Sequence, residues 1–281
     1  MPELAEVEFF RRRWAVGQGD RVVAVQVHRH ARIFRGCDVD ALSRALTGAV
    51  LRTSQAAAKQ MLFEFRTARA PRSAWLGIHL GMSGELRSEA VGYASNRHDH
   101  LVLQQQKRVL VFEDPRMFGA VQFATGDQKP EWWTSIAPAI VSSAFTRKAV
   151  ADFLNRRRRA PIKAVLLMQE RFPGVGNWMA DEILWRAAIH PAQSAGSLTD
   201  DEISRLHREC RWVCRAALRL NGGVGHRLPL QLNAFIPRTW LFWHRWEPGG
   251  KCPRTHRPLA RATIGGRTTC WSPARQKRHR A

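Results

Sequence analysis

With 281 residues the chain exceeds the usual size of a single domain, so two packed units with a small appendage are expected. Its 45 Lys and Arg against 23 Asp and Glu give a formal charge of +22, which excludes an enzyme of neutral substrates with no polyanionic partner and makes nucleic acid the expected one. No run of about 18 apolar residues exists, the start EVEFFRRRW fits neither a signal nor a transit peptide, and five scattered cysteines form no disulfide framework, so a cytoplasmic, nucleoid-associated chain with reduced thiols is expected.

The chain opens MPELAEVEFF. A proline in second place lets Met1 be trimmed, which would leave the secondary amine of Pro2 beside the carboxylate of Glu3. An α-amino group has a lower reference pKa (about 7.7 to 8.0) than lysine (about 10.4), so more of it is a free nucleophile at neutral pH. Residues 5–17 read as a helix, because Val7, Phe10, Trp14 and Val16 recur at roughly helical spacing. Short apolar or alternating runs follow, among them RVVAVQVH, SAWLGIHLGMSGELR and HDHLVLQQQKRVLVFED, separated by Gly, Asn, Asp or Pro. They predict a β-rich domain over 1–126. Residues 127–141, around KPEWWTSIAPAI, contain proline, lack a period and read as a linker.

From residue 142 the period turns helical, and AFTRKAVADFLNRR, PIKAVLLMQE, NWMADEILWRAAI and the run from Leu198 to Leu220 predict a helical domain over 142–235. Within it, PGVGN leads Gly174, Gly176 and Asn177 straight into a helix, whose unpaired N–H groups form a ready phosphate clamp. A plain helix entrance with no ligand is the alternative. Residues 236–281 are rich in aromatics, Arg and Gly, and IGGRTT suggests a hairpin turn. In HDH, alternate strand residues share one face, but no third ligand group accompanies His98 and His100, so a structural role is read there rather than a metal site.

PELAEVE, the lysine of AAAKQMLFEF, HLGMSG, HDH, DPRMFG, PGVGN and GGRTT, in this order and over almost the whole chain, resemble the formamidopyrimidine-DNA glycosylase and endonuclease VIII family. The resemblance implies an α+β multidomain fold: an N-terminal β-sandwich, a helix–two-turn–helix domain and a C-terminal finger hairpin. It implies a bifunctional enzyme of base excision repair, acting as a monomer on double-stranded DNA with oxidised bases or abasic sites. Pro2 would attack C1′ of the damaged nucleotide, Glu3 would move protons, Glu6 would polarise the site, and Lys59 would contact the phosphate near the lesion. A base inside a duplex must be swung out, and Met82, Arg116 and Phe118 match the residues that fill the gap. Lys163, Asn177 and Arg267 would hold phosphates, and Glu182 matches a carboxylate near the extruded base. For Glu6, Lys59 and Glu182 an ordinary structural or solvated role stays open.

Two departures qualify the resemblance. Relatives often close the finger with two CxxC pairs, but CPRT and SPAR keep only Cys252, with Thr255, Ser272 and Arg275 in the other places. Hydroxyls and a guanidinium are poor zinc ligands, so no zinc or other cofactor is expected, with an improvised site from Cys252, His256, Cys270 and another histidine as the alternative, and Trp240, Trp243, Trp246 and Trp271 are expected to pack around the hairpin. The segment from Asn221 to Trp240 lacks the usual wording of the lesion-capping loop. Excision of FapyG therefore follows more directly than that of 8-oxoguanine. An endonuclease VIII-like preference for oxidised pyrimidines, or a non-catalytic binder of damaged DNA, are the alternatives.

Overall fold

The structure, a computed structural model, describes residues 2–67, 72–246 and 248–279. Met1, whose removal is expected above, lies outside the described residues. The chain divides into two units between Ile136 and Ala137, with Glu3–Ala5 grouped with the second.

The first unit begins with helix α1 (Leu4–Ala15), which buries Val7, Phe9, Phe10 and Trp14. Trp14 has an indole donor that a core must satisfy, and it donates to the Val111 carbonyl at 3.1 Å while its ring meets Phe63 at 5.1 Å. Eight strands follow: β1 (Val22–Val27), β2 (Val50–Ala57), β3 (Gln60–Arg66), β4 (Ser73–His79), β5 (Glu85–Glu89), β6 (Asp99–Gln105), β7 (Val109–Glu113) and β8 (Ala120–Gly126). They form two four-stranded antiparallel sheets, in the orders β1-β6-β7-β5 and β2-β3-β4-β8, the sandwich implied by the resemblance. Inward residues such as Phe63, Phe65, Leu76, Leu103, Leu110 and Phe112 are fully buried. Helix α2 (Val39–Leu46) is capped by Asp38, whose carboxylate accepts from Ala41 N at 2.9 Å.

The stretch expected as a linker is half structured. Residues 130–136 carry the short helix α3 (Glu131–Thr134), and Trp133 packs with Leu62 and Trp75 in the first unit. Gly77 makes the fit possible, because a Cβ there would stand 2.5 Å from the Trp132 ring.

The second unit contains α4 (Arg147–Arg156), α5 (Ile162–Leu166), α6 (Asn177–Ala187), α7 (Asp200–Leu220) and a hairpin of β9 (Ala260–Ile264) and β10 (Arg267–Trp271). Thr146 caps α4, and Thr199 with Glu202 forms a capping box on α7. Gly265 and Gly266 both take positive φ (60° and 74°), the conformation a tight hairpin turn demands. The apolar contents of the finger differ from the expectation. Trp240 is buried against Trp178 and Trp212, Trp243 donates to the Ile236 carbonyl, and Trp246 stands exposed beside Phe242. The hairpin instead closes on Trp185 of α6, with Leu241, Cys252 and Cys270. A helix face facing the hairpin supplies the ring, which spacing within the finger could not reveal. Among the described residues no helix is long and apolar enough to cross a membrane.

Candidate active site and nucleic-acid interface

Glu3 is only 2% exposed, and its carboxylate lies on the N-terminus of α6. Oε2 accepts from Gly176 N at 2.9 Å and Met179 N at 3.1 Å, and Oε1 accepts from Trp178 N at 2.9 Å. These are the orphan donors of the helix start, at its positive end. Leu4 N adds a bond to the Gly174 carbonyl at 2.9 Å. Both glycines of PGVGN have a physical reason. Gly174 sits at φ +86°, and a Cβ on Gly176 would fall 2.3 Å from Cδ of Glu3. Part of the turn that reads as a phosphate clamp is thus occupied by the chain's own carboxylate. Pro2, half-buried, is the residue directly bonded to it, and Glu6 is buried one turn further along α1.

Asn177 opens α6 and donates from Nδ2 to the Thr268 carbonyl at 2.9 Å. Thr268 follows Arg267, which is exposed on the hairpin, so the two expected phosphate contacts meet across one hydrogen bond.

In the first unit, Met82 and Phe118 are exposed at 41% and 45%, and the Arg116 guanidinium stands 4.9 Å from the Phe118 ring centre. They ride on two loops that one buried carboxylate ties together. Asp114 accepts from Ser83 Oγ at 2.8 Å and from Gly119 N at 2.7 Å. Gly81, at φ +61°, lets the first loop touch the second, since a Cβ there would meet the Phe118 carbonyl carbon at 2.3 Å. Met117, between Arg116 and Phe118, adopts φ 51° at the tip. Lys59 follows Ala58 (φ 53°) in the β2–β3 turn. It lies near His79, which burial and the Lys59 charge together push below the usual imidazole range. His79 Nδ1 in turn accepts from Gly81 N at 3.1 Å, so the Lys59 turn and the Met82 loop are neighbours. The HDH residues are spent on the fold: Asp99 accepts from Arg87, Tyr93 and Asn96 N, and His100 Nε2 meets the Asp114 carbonyl.

Two of the expected site residues are fully buried. Lys163 has Nζ 2.5 Å from Asp181 Oδ1 and 2.6 Å from the Asn177 carbonyl. Asp181 Oδ2 also accepts from Arg245 Nη2 at 2.6 Å, Arg245 Nε at 3.0 Å and Cys270 N at 3.1 Å. Burial lowers the Lys163 pKa and the Asp181 carboxylate opposes that. A lysine at the start of a short amphipathic helix looks solvated in sequence, and its buried partner sits 18 positions away. Glu182 is the second of them. It is fully buried, pairs with Arg186 Nε at 2.7 Å and accepts from Phe242 N at 3.2 Å. Burial pushes its carboxyl up to about 7 against the pull of Arg186 and the N–H donors of Phe242 and Leu241. Asp181, Arg245 and Asp114, which do the positioning, went unnoticed in the sequence. Only the placement of Asp181 one turn after Asn177 hinted at a shared face.

Cys252 is buried, and its sulfur accepts from Trp185 Nε1 at 3.3 Å. Arg275, in the place of a fourth ligand, stacks over the same indole at 5.5 Å. Among the described residues no group of three or more His, Cys, Asp or Glu side chains could hold a metal ion. Burial alone would raise the Cys252 pKa, but hydrogen bonds from Thr255, Ser272, Trp185 and the Arg254 backbone outweigh it and bring it to about 7.

Comparison with known proteins agrees with this geometry. Residues 1–121 match the family model of the formamidopyrimidine-DNA glycosylase N-terminal domain, and residues 136–227 match that of its H2TH domain. A formamidopyrimidine-DNA glycosylase of Alkalilimnicola ehrlichii is 32% identical, over 99% of this chain and 100% of the relative. The Lactococcus lactis Fpg protein in complex with a FAPY-dG containing DNA superposes with a TM-score of 0.83 at 26% identity, covering 98% of this chain and 100% of that one. Its complex with an abasic site containing DNA gives the same values. The two family models and relatives aligned over their full length show that the chain belongs to the formamidopyrimidine-DNA glycosylase family.

Proposed function

We propose that the chain is a DNA glycosylase with abasic-site lyase activity that removes oxidised bases, FapyG first among them, from double-stranded DNA. The observation that carries the reading is the joint presentation of Met82, Arg116 and Phe118. Two large apolar side chains left in water on loops fixed by a buried carboxylate need a partner, and an unstacked base step is one.

In the proposed reaction the amine of Pro2 attacks C1′ of the extruded nucleotide, and the base leaves with the glycosidic electron pair. Glu3 gives a proton to the ring oxygen and takes one back, while Lys59 holds the neighbouring phosphate. The resulting iminium between Pro2 and the opened sugar acidifies C2′–H, whose proton Glu3 takes as the 3′ phosphate leaves, and loss of the C4′ proton then expels the 5′ phosphate. Glu6 polarises the amine, and Asn177 and Arg267 grip the backbone without reading sequence. The enzyme works in the cytoplasm at the nucleoid. The finger is held without zinc, with the Cys252 sulfur and its donors filling the place of the metal. Elemental analysis that found zinc near one per chain after dialysis would overturn that last point.

Borohydride trapping tests the chemistry. An abasic duplex is expected to yield a reduced adduct whose peptide map places the sugar on Pro2, and a panel of single-lesion duplexes then ranks FapyG, 8-oxoguanine and oxidised pyrimidines. No adduct, or an adduct through another side chain, would refute the assignment.

A further inference from the structure

The long helix α7 buries Leu206, Cys210, Val213, Cys214 and Ala217 and turns Arg208, Trp212, Arg215 and Arg219 outward. Their spacing of four, three and four keeps them on one face, over about 16 Å of helix. This face lines a concavity of about 660 Å³, closed at its end by His226, and no acid lines it. From Cys210 to Trp246 the chain contains no Asp or Glu at all. Arg211, in the floor, spends its guanidinium on the carbonyls of Ile140, Val141, Ser142 and Phe145 and so adds a fixed positive charge. Glu209 pairs with Arg208 at 3.0 Å.

Trp212 distinguishes this face from an ordinary solvated one. It is 43% exposed, yet it is held in place by the Arg186 guanidinium 4.0 Å from its ring centre and by Trp240 at 5.5 Å. Arg186 is itself anchored on buried Glu182. A rigid indole with a cation against it, set within a row of arginines, is a platform for a base with phosphates on either side. An acidic peptide would use the charges but not the flat indole.

We infer that the exposed face of α7 is a second nucleic-acid site, a groove for single-stranded nucleic acid in which Trp212 stacks a base and Arg208, Arg215 and Arg219 take phosphates. It is distinct from the Asn177 end of α6. Trp212 rests on Arg186 in the last turn of that helix, nine residues and about 14 Å from Asn177.

The test uses the full chain with its duplex site saturated by a stable abasic-analogue duplex, and follows a fluorescent lesion-free oligothymidylate by anisotropy. Arg215→Glu with Arg219→Glu is expected to weaken the oligonucleotide at least tenfold and to flatten the salt dependence by about 1.4 in the log–log slope, while lesion cleavage is unchanged. Trp212→Ala is expected to lose on the order of tenfold, and Trp212→Phe to recover most of it. Unchanged oligonucleotide affinity in the arginine variant, or failure of the oligonucleotide to bind once the duplex site is saturated, would overturn the inference. Stronger dependence of polyglutamate than of oligothymidylate on these residues would do so as well. The readout needs no catalysis, so it stands apart from the trapping result.

Discussion

Replacing Asp181 by Asn keeps the size of the side chain and removes the negative charge that bridges two buried cations. In the folded protein the carboxylate takes Lys163 on one oxygen and Arg245 with Cys270 N on the other. All three side chains are buried, so water cannot replace the lost partner. Breaking a buried pair in this way costs about 3 to 5 kcal/mol, because the orphaned charges stay desolvated. Lys163 has one escape, release of its proton, and at pH 7 that costs at most about 5 kcal/mol from a reference pKa near 10.4. The two routes therefore bound the effect at the same size. Calorimetry should show the melting temperature of the second unit falling on the order of 10 °C. The pH dependence carries the diagnosis. In the variant the folded state holds Lys163 neutral where the unfolded chain holds it charged, so the unfolded state binds more protons and stability recovers as pH rises toward 10. A loss under about 0.5 kcal/mol, or one independent of pH, would refute the account of the triad. Replacing all three groups by apolar residues of similar volume should restore much of the stability, while the hold on Asn177 and the hairpin, read as a raised KM, should not return.

Two further outcomes follow from the same geometry. Gly176→Ala would drive a methyl into Glu3 and expel the carboxylate from α6, and since small misplacements at a reacting centre cost about 100-fold, trapping on an abasic duplex should fall by that order while far-ultraviolet circular dichroism is kept; near-normal trapping would show that the clasp is dispensable. For Cys252 the folded thiol ionises at about 7 and an unfolded one near 9, so the folded state has lost a proton that the unfolded state retains in between. Its contribution is fully present above about pH 9 and lost as pH falls to 7, and guanidinium unfolding at both pH values should show about 1 to 2 kcal/mol of this dependence disappear in Cys252→Ser.

The fold was legible where pattern and packing agree. Alternation and turn residues mark the strands, the helical period marks α4 to α7, and the two glycines of IGGRTT mark the hairpin, because each of these signals acts over a few neighbouring residues. Met82, Arg116, Phe118 and Arg267, expected at the interface, are exposed in the structure, as side chains with little packing to do should be.

What sequence could not supply is the partner of a buried charge. Lys163 and Glu182 pair with Asp181 and Arg186, and Arg245 joins Lys163 on Asp181, a grouping of three that spacing along the chain does not announce. A carboxylate or ammonium taken out of water must find such a partner. Glu3 follows the same rule with a different result. It is buried as well, and three backbone N–H groups at a helix start donate to it. Backbone donors cannot be exchanged by substitution or leave by titration, so they hold the residue next to Pro2 in one place whatever happens to the surrounding side chains. That fixity, with glycine obligatory at 176 to permit it, is why the PGVGN turn belongs to the amine at the start of the chain as much as to any phosphate.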